Sequence, residues 1–290
     1  MGKKRKLFHK WTFTRRLVQW SILLVFLSPL FLVKVESDNF FFGSLASSSI
    51  IGITLTDPFA ALQVLFASKE ISFVYMGGAL LIFGFYFIVR GRVFCSWVCP
   101  LNTLLEITDK IRKFLKLPDK QMDRHQKKYY ALATIVLSFL IGVPIFEIFS
   151  PIGFTMRNLL FTYGTGIWLL LAIILFDLLI SKRGWCRYIC PLGGFYQSIG
   201  KFGLFQVKFN HDACVGCIKC RSVCFADPDI LEPTINRETQ YVKAGDCSLC
   251  GACVDNCPFG ALKITVRELP RNENAFHAKT GVHAKDRFMK

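Results

Sequence analysis

The chain has 290 residues, 52% of them hydrophobic, yet 36 Lys and Arg against 20 Asp and Glu leave a formal net charge of +16. With a mean hydropathy of +0.40, this combination argues against an ordinary soluble domain and suits a membrane protein with basic loops. Lipid is the expected partner of the charge; nucleic acid is not.

In chain order, a basic stretch over 1–16, with Lys3, Lys4, Arg5, Lys6, Lys10, Arg15 and Arg16, precedes the first of four apolar runs. These runs are Leu17 to Val33, Ile71 to Val89, Tyr129 to Phe149 and Gly166 to Ile180. Each reaches or approaches the ~20 residues that cross a hydrocarbon core. Lys34 to Glu70 holds Lys34 and Lys69 against four acids, Arg90 to Lys128 is dense in Arg and Lys, and Ser150 to Thr165 holds Arg157 alone. Positive charge accumulates on the cytoplasmic side. The segments therefore alternate in, out, in, out, in, and both termini face the cytoplasm. A cleaved signal peptide fits the first run poorly, because the run exceeds a ~7–15-residue apolar region and no Ala-x-Ala-like site follows closely.

The membrane part, 17–200, is read as two tandem hairpin repeats. Phe94-Cys95-Ser96-Trp97-Val98-Cys99-Pro100-Leu101 after the second run matches Trp185-Cys186-Arg187-Tyr188-Ile189-Cys190-Pro191-Leu192 after the fourth. Asp57-Pro58 and Ser150-Pro151 each offer a helix N-cap followed by proline at the first helical position. Repeats of one topology are related by an axis along the membrane normal, which gathers Cys95, Cys99, Cys186 and Cys190 at the inner surface. If each Cys-x3-Cys is helical, both thiols share one face. Four such thiols are candidate redox groups or ligands of a third metal centre; the alternative is inert buried cysteine. Asp177 and Glu147 read as span-end acids that snorkel or pair, with a proton relay as the lesser reading. Gln19 and the Asp57 to Phe66 segment, with Leu55, Phe59 and Leu62 at helical spacing, suggest an outer interfacial surface for a quinol head, or plain interfacial packing.

From 201 to 266 the pattern changes to a doubled ferredoxin motif, Cys214, Cys217, Cys220, Cys224 and then Cys247, Cys250, Cys253, Cys257, followed by Pro258. Three thiols at Cys-x2-Cys-x2-Cys spacing hold three corners of one [4Fe-4S] cube and the fourth reaches the other cube. The expected sets are crossed: Cys214, Cys217, Cys220 and Cys257 for one cluster, Cys247, Cys250, Cys253 and Cys224 for the other. Paired zinc sites fit less well, since structural zinc joins separated Cys-x2-Cys knuckles, and disulfides need an oxidising compartment. The tail over 267–290 is basic and without apolar periodicity, and reads as disordered. His9, His125, His211, His277 and His283 all lie outside the apolar runs, which excludes a bis-histidine membrane haem. There is no Cys-x-x-Cys-His for a c-type haem and no phosphate-binding glycine loop.

The expected fold is membrane α-helical, with four transmembrane helices followed by a small α+β ferredoxin-like 2[4Fe-4S] domain. These residues resemble the NapH family of membrane ferredoxin-type subunits of periplasmic nitrate reductase systems. The likeness rests on Leu55-Thr56-Asp57-Pro58, Phe94 through Asn102, Phe176-Asp177-Leu178-Leu179 and Gly184 through Pro191. It implies an inner-membrane electron-transfer subunit of a quinol dehydrogenase rather than a stand-alone catalyst. Such a subunit works with a NapG-like periplasmic ferredoxin and the electron-transfer subunits of nitrate reductase. Phe225 departs from the proline often found after the fourth cysteine, which bears on local turn geometry only. The rival reading is an assembly factor or redox sensor for a membrane metalloenzyme.

Overall fold

A computed structural model describes residues 9–32, 41–43, 47–50, 53–69, 73–155, 166–243 and 245–267. Expectations for residues 1–8, Arg157 and the tail 268–290 lie outside the described residues.

Helix α1 (Lys10–Leu32) starts well before the boundary expected at residue 16. Its first amides are capped from the far end of the chain: Asp255 accepts from the Trp11 and Thr12 N–H groups at 3.3 and 2.7 Å and from the Thr12 hydroxyl at 2.8 Å. A carboxylate at a helix N-terminus satisfies donors that have no partner within the helix and complements its dipole. Three strands with no counterpart among the expected elements follow, β1 (Phe41–Gly43), β2 (Ser47–Ile50) and β3 (Ile53–Thr56), paired antiparallel in chain order.

Helix α2 (Pro58–Ser68) has the N-cap its sequence announced, with Asp57 Oδ2 accepting from the Phe59 and Ala60 N–H groups at 3.1 Å and Pro58 in the first turn. Of the surface expected over Asp57 to Phe66, the first turn is buried inward, while Val64 and Phe66 stay 44% and 38% exposed. Asp57 and Phe59 are buried: the Tyr196 hydroxyl donates to Asp57 Oδ1 at 2.6 Å, and the Phe59 ring packs on Phe146 and Phe195. A buried carboxylate needs such donors. Gln19, paired with this segment in the sequence reading, instead donates to the Ser96 carbonyl at 2.9 Å, beside the first Cys-x3-Cys motif.

Helix α3 (Phe73–Val89) leads through α4 (Val93–Trp97) into α5 (Pro100–Phe114). α5 buries Leu101, Leu105, Thr108, Asp109 and Arg112 on one face. Arg112 donates to the Asp177, Leu178 and Ile180 carbonyls at 2.7, 2.9 and 3.2 Å, satisfying the end of a later helix. The expected straight run from Tyr129 to Phe149 is broken. α6 (Gln126–Ile141) ends at Gly142, whose φ of 78° is left-handed, and Pro144 precedes α7 (Ile145–Ile148). Gln63 Oε1 fixes the bend by accepting from the Phe146 N–H at 2.9 Å. Helical turn α8 (151–155) is capped by Ser150, whose Oγ accepts from the Gly153 N–H at 3.3 Å. α9 (Gly166–Leu179), a π-turn (Trp185–Ile189) and α10 (Pro191–Ile199) complete the helical part.

The four expected spans fall on α1, α3, α6 with α7, and α9. Among the described residues no single helix is long and apolar enough to cross a membrane. The pair Gln126–Ile141 and Ile145–Thr155 passes that test jointly, with a bend of 101°.

The cysteine-rich part is framed by β4 (Phe205–Phe209) and β5 (Leu262–Val266), paired antiparallel, and otherwise holds four-residue helices, α11 (Lys219–Ser222), α12 (Glu232–Ile235) and α13 (Ala252–Asp255), and a 3-10 turn (Pro228–Leu231). So little regular structure does not amount to the expected α+β domain. Two cores result. One joins Phe59, Phe94, Leu105, Phe146 and Tyr196 in the helical part, and the other joins Val207, Phe209, Ile230, Leu231 and Leu262 around the cysteine loops.

Candidate metal centres

The eight ferredoxin cysteines line two separate cavities. Cys214, Cys217, Cys220 and Cys257 face one of about 400 Å³, walled by Phe209, Ile235 and Leu262. Cys224, Cys247, Cys250 and Cys253 face the other, of about 360 Å³, walled by Val207, Ile230 and Leu231. The fourth cysteine of each run thus crosses to the other run's cavity.

The two loops reach this arrangement by the same backbone device. In Cys214 to Cys220 the left-handed residues are Gly216 and Ile218; in Cys247 to Cys253 they are Leu249 and Gly251. Each motif therefore places glycine at one of two equivalent left-handed positions and accepts strain at the other. The turns aim amides at sulfur: the Gly216 N–H donates to Cys214 Sγ at 3.5 Å, the Leu249 N–H to Cys247 Sγ at 3.5 Å and the Ala261 N–H to Cys257 Sγ at 3.3 Å. Burial pushes the Cys224 thiol up to about 12, so a thiolate at this depth needs a cationic partner, which coordinated iron supplies. Four soft donors around an apolar cavity fit a [4Fe-4S] cube. They fit tetrahedral zinc less well, which needs sulfurs about 3.8 Å apart at a Zn–S length of ~2.3 Å. Among the described residues no group of three His, Cys, Asp or Glu side chains is placed to hold a single metal ion.

The remaining four cysteines meet in the helical core. Cys99 and Cys190 are buried, with Cys95 and Cys186 packed against them, and the four thiols lie within electrostatic reach of one another. The expectation that each Cys-x3-Cys lies on one helical face does not hold. Cys95 sits within α4 and Cys186 within the π-turn, whereas Cys99 and Cys190 are the extended N-cap residues of α5 and α10, with ψ of 118° and 114°. The proline after each second cysteine excludes the helical conformation there. Both motifs close with the same wide bond, the Cys99 N–H to the Phe94 carbonyl at 3.0 Å and the Cys190 N–H to the Trp185 carbonyl at 2.8 Å. The Arg92 and Lys127 cations both lie within electrostatic reach of Cys95. Burial pushes the Lys127 ammonium down to about 7, with Arg92 as a further cause. Asp177 holds the second motif by accepting from the Trp185 N–H at 3.0 Å, while Arg183 pairs with Asp109 at 3.0 Å instead.

Contacts invisible to sequence reasoning clamp this tetrad to the second cavity. The Ser96 hydroxyl donates to the Ser248 carbonyl at 2.7 Å, the Trp97 indole to the Leu249 carbonyl at 3.2 Å and Arg92 to the Asp246 carbonyl at 2.6 Å. From the second motif Arg187 donates to the Ala226 carbonyl at 2.9 Å. Phe225, in place of the usual proline, is buried under the Arg183 guanidinium at 3.9 Å, a cation–π seat that proline does not provide. Arg92, Ser96, Trp97 and Arg187 are visible in the sequence as members or neighbours of the motifs, but nothing in it names their partners 39 to 154 residues away.

A family described as a 4Fe-4S binding domain (Fer4_5) matches residues 71–118 and again 162–210, once per repeat, and a second 4Fe-4S binding domain (Fer4) matches 241–263. The methylamine utilization ferredoxin-type protein MauN of Methylobacillus flagellatus is 38% identical over 87% of this chain and 89% of its own. The ferredoxin-type protein NapH of Escherichia coli is 35% identical over 89% and 90%, and that of Haemophilus influenzae 34% identical over 89% and 91%. No solved structure matches. With crossed cysteine cavities at one end and a twice-matched Cys-x3-Cys-Pro repeat at the other, this chain belongs to the NapH and MauN family of ferredoxin-type iron-sulfur electron-transfer proteins.

Proposed function

We propose that the chain is a four-span inner-membrane subunit, with both termini in the cytoplasm, that takes electrons from the quinol pool. It passes them, with a NapG-like periplasmic ferredoxin partner, toward nitrate reductase. The observation that carries this reading is the direct contact between the repeat motifs and the loops of one ferredoxin cavity through Ser96, Trp97 and Arg187. Cys214, Cys217, Cys220 and Cys257 would hold one [4Fe-4S] cluster, and Cys247, Cys250, Cys253 and Cys224 the second. Such clusters, when bound, accept and release one electron at a time, so a pair matches the two electrons of a quinol.

The residues of the chain do the rest. Apolar side chains line both cavities, the Cys214 side being open to solvent at Cys217, and the Gly216, Leu249 and Ala261 amides would stabilise charge on sulfur. Burial pushes all four tetrad thiols up, and the Arg92 guanidinium offsets only part of that at Cys95. Cys95, Cys99, Cys186 and Cys190 would therefore hold a third centre only with a bound cation to keep them as thiolates, and would otherwise act in redox chemistry as thiols. Oxidation of quinol to quinone releases two protons with its two electrons.

Iron and sulfide analysis of the purified chain tests the cluster content. About eight irons with an EPR signal on reduction are expected, and substantially fewer, or zinc in their place, would overturn it. Quinol oxidation by membranes holding the chain and its partner tests the electron source. An unchanged rate in a Cys95→Ser, Cys186→Ser variant, with loss of maturation of the terminal enzyme, would favour the assembly-factor reading. Affinity purification of the membrane complex tests the acceptor, with nitrate reductase subunits as the expected companions.

A further inference from the structure

On the far side of α2 from the tetrad, between α2, the start of α3 and the β ladder, lies an open cleft of about 420 Å³. Ala61, Val64 and Met76 give it an apolar wall, and Thr56, Tyr75 and Glu147 contribute polar groups. Thr56 is only 5% exposed, and its hydroxyl has no hydrogen-bond partner among the described residues. A buried hydroxyl left unpaired costs free energy unless something arrives to bond it.

We propose that this cleft binds the ring of a quinol or quinone, with the Thr56 hydroxyl on a ring oxygen. The inference rests on the quinol reading and locates its site. Three features select this ligand. The cleft falls within the size range of small-molecule sites and is mainly apolar, with few polar groups. Thr56 and Tyr75 carry hydroxyls that both donate and accept, which serves the reduced ring and the oxidised one alike. No Lys or Arg is among the described lining residues, so a phosphate-bearing lipid headgroup finds no cation there. The cleft is also joined to the cysteine tetrad by a short path. Asp57, the next residue after Thr56, accepts from the Tyr196 hydroxyl at 2.6 Å, and the Tyr196 ring stacks on Phe94 at 5.4 Å, directly before Cys95.

The test uses the full iron-loaded chain in lipid nanodiscs, a photoreactive short-chain quinone, and calorimetric titration with the unlabelled quinone. The label is expected in peptides spanning 53–68 or 73–76. Thr56→Val, which keeps the β-branched shape a strand favours, is expected to weaken quinone binding about tenfold. Ala61→Leu, which fills the cleft, is expected to abolish the labelling. Iron content and circular dichroism, unchanged in both variants, report that folding is intact. Wild-type binding with labels elsewhere and an unaltered Thr56→Val affinity overturns this site while leaving the quinol reading in place. Labelling displaced by phospholipid but not by quinone overturns it in favour of a lipid seat. No quinone binding by the wild-type chain defeats the quinol reading itself.

Discussion

The two four-cysteine cavities have nearly the same volume and the same pair of left-handed loop positions, yet they sit in opposite surroundings. The Cys224, Cys247, Cys250 and Cys253 cavity is clasped by Ser96, Trp97 and Arg187 from the repeat motifs and by Trp11 from α1, which closes on Gly251. The Cys214, Cys217, Cys220 and Cys257 cavity turns outward: Cys217 is exposed, and Val215 and Ile218 are 57% and 56% exposed. The ligand spacing decides what each cavity can hold, and the neighbours decide with whom it communicates. The Cys224, Cys247, Cys250 and Cys253 site is therefore the nearer of the two to the tetrad.

The strongest way to break that comparison is to remove a ligand from each side. Cys250→Ala and Cys217→Ala should each lose about four of about eight irons. Only Cys250→Ala should also release residues 201–266 to limited proteolysis, because its loop carries the clasp; equal protease sensitivity would defeat the distinction. Next comes Arg187→Ala, which deletes the bond to the Ala226 carbonyl and the 3.2 Å pair with Asp119. Asp119 is about a third exposed, so solvent offsets part of the loss. A destabilisation of about 2 kcal/mol is expected, read as faster amide exchange in residues 224–228.

A sharper comparison uses two glycines with φ of 74° and 72°. Gly216→Ala has nothing within 4 Å of the new methyl group, whereas Gly251→Ala drives it into Trp11. Both should lose about 1–2 kcal/mol to left-handed strain, with a further loss only at Gly251, measured by the difference between the two thermal unfolding midpoints. Removing the remote cap with Asp255→Ala should cost about 1 kcal/mol and expose the Trp11 and Thr12 amides to exchange. The smallest effect is expected from Val215→Ser with Ile218→Ser, within about 0.5 kcal/mol of the parent, since both side chains are more than half exposed.

Much of this was legible in the sequence where the signal is local. The cysteine spacing contains the crossed grouping, and Asp57-Pro58 and Ser150-Pro151 announce their caps. Gly142 and Pro144 carried the break in the third apolar run, and Pro100 and Pro191 carried the departure of Cys99 and Cys190 from helix; hydropathy and i, i+4 spacing outweighed those signals in the reading. The β ladder was written in Ser47 to Thr56, β-branched residues about Gly52, but its position in a loop between apolar runs hid it. What stayed illegible is long-range. The inward path of α2 depends on Tyr196, 139 residues away, and no pattern within either segment names the other.

The bond from Asp255 to the start of α1 sets a schedule for biogenesis. The Thr12 amide leaves the ribosome first, and its acceptor follows 243 residues later, a wait on the order of tens of seconds at ~5–20 residues per second. Until then the first turn of α1 frays. Only when the loop around Gly251 has closed on Trp11 does the earliest helix acquire its final anchor. An unassembled cysteine domain at one end thus leaves the first turn of the helix at the other without its cap.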